Sequence, residues 1–194
     1  MSLLIRDILA RARAERRPSI SFEFFPIKSE EGERTLFEKT IPALGALKPD
    51  FCFVTYGAGG GTRDKTLGIV ERMQRDHGLT TMAHLTCVNA TEEDTRAVLA
   101  DAAVRGIRNI LALRGDPPKG QDEFTTVEGG FSCALDLVRH IRATHGDHRH
   151  AGIARSLVHG HLACVAAQMA ATLIFSLVSS STSTRVSARV SVLT

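Results

Sequence analysis

Residues 51–73 read FCFVTYGAGGGTRDKTLGIVERM, and this stretch contains the repeating unit that decides the fold. Residues 51–54 form a short apolar run of strand length, and a glycine-rich turn follows closely. Leu67, Val70 and Met73 then recur at three-residue spacing, which predicts an amphipathic helix. An apolar strand, a glycine turn and a helix in this order predict one βα unit.

The same pattern recurs three more times along the chain. Strand-like runs begin near Ser19, Thr81 and Asn109, so that successive runs start about 30 residues apart, and a helical pattern follows each. Thr91 and Asp94 have the spacing of a capping box at the start of one helix. The apolar positions of the other helices are Phe37, Ile41, Leu44, Val98, Ala102, Leu135, Val138 and Ile141. Repeated βα units build either a doubly wound parallel sheet or a (β/α)₈ barrel, and the pattern alone leaves both open.

Composition predicts one soluble globular domain, because 194 residues with 43% apolar content can bury a substantial core. The net charge of +3 is unevenly distributed, since no Asp, Glu or Lys follows Asp147. Residues 1–147 hold 20 Lys and Arg against 21 Asp and Glu. This balance argues against a nucleic-acid surface, and we expect no nucleic-acid partner.

The cysteines and the amino terminus predict a cytoplasmic protein. The four cysteines contain no C-x-x-C pair, which favours reduced, mostly buried thiols over a zinc site or a disulfide framework. Near the amino terminus, Ile5, Ile8, Leu9 and Ala12 recur at helical spacing. That spacing favours an ordinary surface helix over a targeting peptide. The cysteines are Cys52, Cys87, Cys133 and Cys164.

The sequence changes character after Asp147. Residues 148–194 contain eight serines and no acidic residue, and they show no alternation of strand and helix patterns. Leu162 to Val178 is a largely apolar run at the short limit for a membrane span, and its modest apolarity argues against one. Four histidines lie in this segment without a supporting carboxylate, so we expect a chance cluster and no metal site. They are His148, His150, His159 and His161.

Glu23 is the first candidate for chemistry, since active sites of βα folds gather at the carboxyl ends of the strands. In SISFEFF, alternation places Phe22 and Phe24 on one face and Glu23 on the other. If the aromatic face packs on helices, Glu23 points inward, where desolvation would raise its pKa and suit it to act as a general acid. The alternative is a structural Glu paired with a cation such as Arg114.

Other polar residues follow the remaining strands. Thr55 precedes the glycine turn, whose backbone N–H groups suit a phosphate, although the turn matches neither a Walker loop nor G-x-G-x-x-G. His84 lies near the end of the third strand, and Arg114 and Asp116 follow the fourth. A lone histidine at a strand end is more often a structural hydrogen-bonding group than a catalyst.

Four motifs, SFEFFP, FVTYGAGG with TRDKT, AHLTC and LALRGDPP, follow one another across roughly residues 17–147. In their order and spacing they resemble the methylenetetrahydrofolate reductase family. Ile27 departs from the pattern, where the family often has a second proline. The resemblance implies an α/β protein of the (β/α)₈ TIM-barrel family that contains FAD. It also implies that NADH or NADPH reduces the flavin, which reduces 5,10-methylenetetrahydrofolate to 5-methyltetrahydrofolate in one-carbon and methionine metabolism.

Roles for individual residues are carried over from the resemblance. Glu23 would be the acid that helps to open the five-membered ring of the folate. Asp116 would lie close to the flavin and the pterin, where it would tune the flavin and stabilise the cationic iminium. The residues that would hold FAD, besides Asp116, are Thr55, His84, Arg114, Gly115, Gly130, Phe131 and Ser132. No metal and no membrane are implied, and a full barrel would be expected to form a homo-oligomer.

Only about the first four βα units of a barrel are present. We therefore expect residues 1–147 to be a partial barrel domain and residues 148–194 to be a non-homologous tail, from a reading-frame shift or a misread exon boundary. A half barrel would leave two open sheet edges. The alternative to an enzyme is a non-catalytic fragment that binds flavin weakly or associates with full-length subunits.

Overall fold

The four predicted strands form one parallel sheet. The structure, a computed structural model, describes residues 3–27, 29–56, 63–117, 120–145 and 188–193. The strands are β1 (Ser19–Phe24), β2 (Phe51–Val54), β3 (Thr81–Thr86) and β4 (Ile110–Leu113). They lie side by side in chain order, and each pair is parallel. The prediction of consecutive βα units is confirmed.

Helices precede β1 and connect or follow the strands. They are α1 (Ile5–Ala14), α2 (Glu30–Thr35), α3 (Ile41–Gly45), α4 (Arg63–His77), α5 (Glu92–Val104) and α6 (Ala134–His145). One π-helical turn, Leu36–Thr40, joins α2 to α3 just before Pro42, which has no N–H to continue an α-helical ladder. The predicted capping box is confirmed, since Thr91 and Asp94 each accept the other's backbone N–H.

One face of the sheet is packed against the π-helical turn and helices α3 to α6. Their buried apolar side chains form a single core with alternate residues of all four strands. The strand residues in this core are Phe22, Phe24, Cys52, Val54, Ala83, Leu85, Ile110 and Ala112. A doubly wound sheet carries crossover helices on both faces and reverses its strand order, and this sheet does neither. The chain therefore has the architecture of the first four βα units of a (β/α)₈ barrel.

Helix α1 covers the amino-terminal half of the other face, which we call the inner face. Ile5 and Ile8 pack there in a second apolar cluster with Phe51, Phe53, Met82 and Leu111. The Ile5 N–H donates to Asn109 Oδ1 at 3.0 Å, and Asn109 Nδ2 donates to the carbonyl oxygens of Leu3 and Thr81. The predicted helix is confirmed. Its position is not that of an ordinary surface helix, because its apolar side closes one end of the inner face.

A fifth strand, β5 (Ala188–Leu193), pairs antiparallel with β1, from Ser19 opposite Leu193 to Phe24 opposite Ala188. The expectation of an open edge at β1 was therefore wrong. The six residues ARVSVL alternate too briefly for a strand to be predicted from the sequence. The boundary at Asp147 stays a prediction, and residues 148–187 lie outside the described part of the chain.

Three further predictions concern membranes, metals and thiols. No helix in the described ranges is both long and apolar enough to cross a membrane. Those ranges also hold no group of three or more His, Cys, Asp or Glu residues placed to bind a metal ion. Cys52 and Cys87 are buried free thiols and Cys133 is half-buried. The apolar run at Leu162 to Val178, the four clustered histidines and Cys164 all lie outside the described residues.

A charged cluster joins the amino-terminal ends of β1 and β2. Arg17 donates to both carboxylate oxygens of Asp50, at 3.0 and 2.8 Å, and the Ile20 N–H donates to Asp50 Oδ2 at 2.9 Å. Burial by itself would raise the pKa of Asp50, but the hydrogen bonds from Arg17 and Ile20 outweigh it and the pKa is lowered. The ionised carboxylate therefore stabilises the start of the sheet.

Replacing Asp50 should show this contribution and its pH dependence. Asp50→Asn is expected to lower the free energy of unfolding at pH 7 by about 1–3 kcal/mol, because charged hydrogen bonds are lost. The loss should shrink as the pH falls below about 4, since a carboxyl with a lowered pKa stabilises only while it is ionised. Urea denaturation at pH 7 and pH 3 measures both effects. Asp76→Asn, in an exposed cluster with Arg72 and Arg75, is the control and should cost less.

Candidate active site

The carboxyl ends of four parallel strands lie along one edge of the sheet, and the predicted polar residues lie at that edge. Glu23 is near the end of β1, Thr55 follows β2, His84 is near the end of β3 and Arg114 follows β4. Glu23 and His84 alternate with core residues of β1 and β3 and so lie on the inner face, whereas Arg114 lies over Phe124, which packs against the helix-covered core. The topology therefore brings together side chains that are far apart in the sequence.

Glu23 lies on the inner face, as the alternation of β1 predicts. Phe22 and Phe24 are buried in the helix-packed core on the other side, and the Glu23 side chain is 5% exposed. Phe53 on β2 is its partner in the strand register. Arg114 follows β4, with β2 and β3 between it and β1. Glu23 is thus a desolvated carboxyl next to an aromatic residue.

His84 is stacked on the same aromatic ring. The imidazole and the Phe53 ring have centroids 5.4 Å apart and planes inclined by 15°. The histidine is 8% exposed, and burial lowers its pKa to about 4, so it is neutral at pH 7. Its Nε2 atom is buried without a hydrogen-bond partner among the described residues. A buried nitrogen of this kind suits a ligand that supplies the missing hydrogen bond.

Phe53 therefore links two candidates that the sequence treated separately. It lies opposite Glu23 on the neighbouring strand β2, and its ring stacks on His84 of β3. The sequence analysis did not identify Phe53 as a site residue, because an aromatic residue inside an apolar strand is usually part of the hydrophobic core. The alternation of FCFV places Phe53 on the face opposite Cys52 and Val54, and that signal was available.

Arg114 and Asp116 lie on either side of Gly115 at the end of β4. The Arg114 guanidinium lies over the Phe124 ring, 5.2 Å from its centroid, and Nε is 3.4 Å from the Gly115 carbonyl oxygen. Arg114 is half-buried and Asp116 is exposed. An oriented cation and an accessible carboxylate are therefore adjacent at the site edge. Phe124 was not predicted, since it comes from a loop without a periodic pattern.

Gly115 is required by packing as well as by its conformation. Its φ is +85°, and a Cβ placed there would lie 2.5 Å from Val88 Cγ2 and 3.0 Å from Thr86 Cβ. The Cys87 N–H donates to the carbonyl oxygens of Leu113 and Arg114, at 3.2 and 3.1 Å. Only glycine lets the segment after β4 approach the segment after β3 this closely.

Thr55 is held by its backbone at the end of β2. Its N–H donates to the Phe24 carbonyl oxygen at 2.9 Å, and its carbonyl oxygen accepts from Thr66 Oγ1 at 3.2 Å. Thr55 is half-buried, and the alternation of β2 puts it on the same face as Phe51 and Phe53, the inner face. The predicted glycine turn, residues 57–62, lies outside the described residues.

Residues 130–132 pack against the connection between β3 and α5. Gly130 forms an isolated bridge with Thr91, and a Cβ on it would lie 2.6 Å from the Ala90 carbonyl oxygen. Ser132 Oγ donates to Asp136 Oδ2 at 3.1 Å, at the start of α6. The segment after β3, residues 87–91, therefore contacts the β4–α6 connection at two places, around Gly115 and around Gly130. Sequence reasoning missed this central role of residues 87–91.

A family model described as methylenetetrahydrofolate reductase matches residues 7–170. The curated relatives carry the same name. The chain is 52% identical to methylenetetrahydrofolate reductase (NADH) 1 from Zea mays over 145 residues, which are 75% of this chain and 24% of that protein. It is 45% identical to 5,10-methylenetetrahydrofolate reductase from Escherichia coli over 117 residues, 59% of this chain and 39% of that protein.

A yeast relative extends the range of organisms. Methylenetetrahydrofolate reductase 2 from Saccharomyces cerevisiae is 39% identical over 139 residues, which are 71% of this chain and 23% of that protein. The chain thus spans about a quarter of the length of its plant and yeast relatives.

The buried neutral His84 predicts a specific pH dependence of stability. With a pKa of about 4 in the folded chain and 6.5 unfolded, the unfolded chain gains the proton first as the pH falls. Stability is therefore full above pH 6.5 and is lost progressively down to pH 4, by about 3 kcal/mol. Urea denaturation between pH 7 and pH 4 should show a shallower decline in His84→Phe than in wild type. Parallel curves would contradict the assignment.

Gly115→Ala should destabilise the chain by about 2–4 kcal/mol, through the positive φ and the overlap with Val88. Gly120→Ala is the matched control, since Gly120 has φ +90° and nothing within 4 Å of its Cβ position. It should show only the conformational cost of about 1 kcal/mol. Adding Val88→Ala to Gly115→Ala should recover part of the steric cost in a double-mutant cycle by urea denaturation. Equal losses in the two glycine variants would show that close packing is unimportant.

Proposed function

Since the chain belongs to the methylenetetrahydrofolate reductase family, we propose that it provides the flavin and folate site of an FAD-dependent reductase. The reaction would be the reduction of 5,10-methylenetetrahydrofolate to 5-methyltetrahydrofolate. The observation that carries the proposal is the row formed on the inner face by Glu23, Phe53 and His84. It places a desolvated acid and a neutral imidazole at the carboxyl ends of the strands, where barrel enzymes bind their substrates.

The residues at this edge fit a flavin. FAD, when bound, would carry the hydride between the nicotinamide and the folate. The buried Nε2 of His84 would exchange a hydrogen bond with the cofactor, and Arg114 would supply positive charge near its anionic groups. Gly115 would allow close approach of the backbone. The other residues proposed to hold the cofactor are Thr55, Asp116, Gly130, Phe131 and Ser132.

Glu23 is proposed as the general acid. Glu23 is 5% exposed and lies beside Phe53 near the carboxyl end of β1. A protonated carboxyl at the substrate end of the strands would give its proton to the folate nitrogen as the five-membered ring opens. Asp116 is exposed at the same edge, where its carboxylate would stabilise the cationic iminium.

The names of the plant relatives favour NADH over NADPH as reductant. The Zea mays and Arabidopsis thaliana proteins are both named for NADH, and the chain is 52% and 49% identical to them. We propose NADH on this ground, with a cytoplasmic location and a homo-oligomeric assembly as further expectations from the family.

A second candidate function is a non-catalytic fragment. In the described part of the chain, β4 pairs only with β3, so its other edge offers free backbone groups. A polypeptide with this edge would bind flavin weakly or associate with full-length subunits. It is distinguished from the first function by the absence of folate reduction.

Flavin titration followed by separate half-reactions tests the first function. The purified chain should retain FAD through a sizing column, as measured by its visible absorption. Glu23→Gln should retain FAD and its reduction by NADH, but lose about 10²–10⁴-fold in methylenetetrahydrofolate reduction, because only the acid is removed.

Glu38→Gln, at an exposed position, is the control and should behave as wild type. FAD retention without folate reduction in wild type would favour the non-catalytic fragment. A flavin-free, compact wild-type chain would contradict the proposal.

A further inference from the structure

His140 on α6 is a buried polar side chain without an assigned role. Its side chain is 8% exposed. The imidazole lies against the Phe131 ring, with centroids 5.1 Å apart and planes inclined by 51°. On the other side, Nδ1 is 3.5 Å from Glu92 Oε1 at the start of α5. The histidine therefore lies between an aromatic residue of the proposed cofactor site and the first residue of a neighbouring helix.

Glu92 also binds the backbone next to Phe131. Its N–H donates to the Gly129 carbonyl oxygen at 2.8 Å, and the adjacent Thr91 forms the bridge with Gly130. Its carboxylate accepts from Arg96 at 2.8 Å, a contact on the exposed side of α5. The start of α5 thus holds residues 129 and 130 by their backbone, and His140 connects the same helix start to the Phe131 side chain.

Two properties of histidine are used at this position. The flat ring gives Phe131 an aromatic surface, which is worth more than apolar contact alone. The ring nitrogen reaches Glu92, so the ring cannot turn away from Phe131 without losing that contact. Phenylalanine would keep the first property and lose the second, whereas alanine would lose both.

We propose that His140 is a positioning residue that fixes Phe131, and with it residues 129–132, in the arrangement that binds the flavin. This inference rests on the proposed function, because that function assigns Gly130, Phe131 and Ser132 to the cofactor. His140 itself acts through Phe131 and Glu92. Its effect should therefore appear as order in residues 129–132 and as flavin affinity.

Hydrogen exchange measures the first effect without any flavin. In His140→Ala, amide exchange across residues 129–132 should rise at least tenfold, while exchange in α4 stays as in wild type. His140→Phe should restore part of the protection through its ring. Arg96→Ala is the matched control, since it removes the other partner of Glu92, and should leave exchange at 129–132 unchanged.

Flavin affinity, measured by quenching of FAD fluorescence, tests the second effect. His140→Ala should weaken FAD binding about tenfold, His140→Phe about threefold, and Arg96→Ala not at all. Far-UV circular dichroism confirms that each variant is folded. Should His140→Ala fail to fold, Glu92→Ala and His140→Phe test the same contact, since each removes one of its two partners, the carboxylate or the ring nitrogen.

The outcomes separate this inference from the function on which it rests. Unchanged exchange at residues 129–132 in the folded His140 variants would overturn it, whether or not flavin binds. Faster exchange with unaltered FAD affinity would overturn the positioning role and leave a purely structural one. A wild-type chain that binds no FAD would contradict the proposed function and the flavin part of this inference, while the exchange result would still decide whether His140 holds the segment.

Discussion

Parallel pairing of four strands in chain order is the constraint on which the rest of the structure depends. Because every strand points the same way, all four carboxyl ends meet at one edge, and each connection must return over the sheet as a helix. Those helices cover one face only. The other face is left to α1 at its amino-terminal half, where Phe53 packs, and to Glu23 and His84 on either side of Phe53.

This division of the inner face explains how polar side chains are tolerated inside an apolar sheet. The amino-terminal half is covered by aliphatic and aromatic side chains of α1 and the strands. Asn109 accepts a hydrogen bond from the first N–H of α1 and donates one to the Thr81 carbonyl oxygen. The carboxyl-terminal half contains Glu23 and His84, and burial disfavours the charged form of the histidine. A buried polar atom costs free energy unless it finds a partner, and His84 Nε2 has none among the described residues, which is typical of a site that binds a ligand.

Close packing, and not only the proposed cofactor, accounts for two glycines at the site. Gly115 and Gly130 each meet the chain after β3 so closely that a Cβ would overlap Val88 or the Ala90 carbonyl oxygen. Both ends of the β4–α6 connection are thereby locked to the β3–α5 connection at the carboxyl edge, and Glu92 and His140 extend the contact to α5 and α6. A rigid edge of this kind positions side chains for a ligand more accurately than separate loops would.

The sequence by itself determined the βα repeat, the face of β1 on which Glu23 lies, and the family, because periodicity and short motifs are local properties of the chain. It did not determine the choice between a doubly wound sheet and a barrel, which depends on all the connecting helices packing on one face. Pairing of β5 with β1, stacking of Phe53 on His84 and contact of His140 with Phe131 were likewise decided only by tertiary structure. Each of these joins residues that are distant in the sequence, and no local pattern encodes which of many apolar or polar residues will meet.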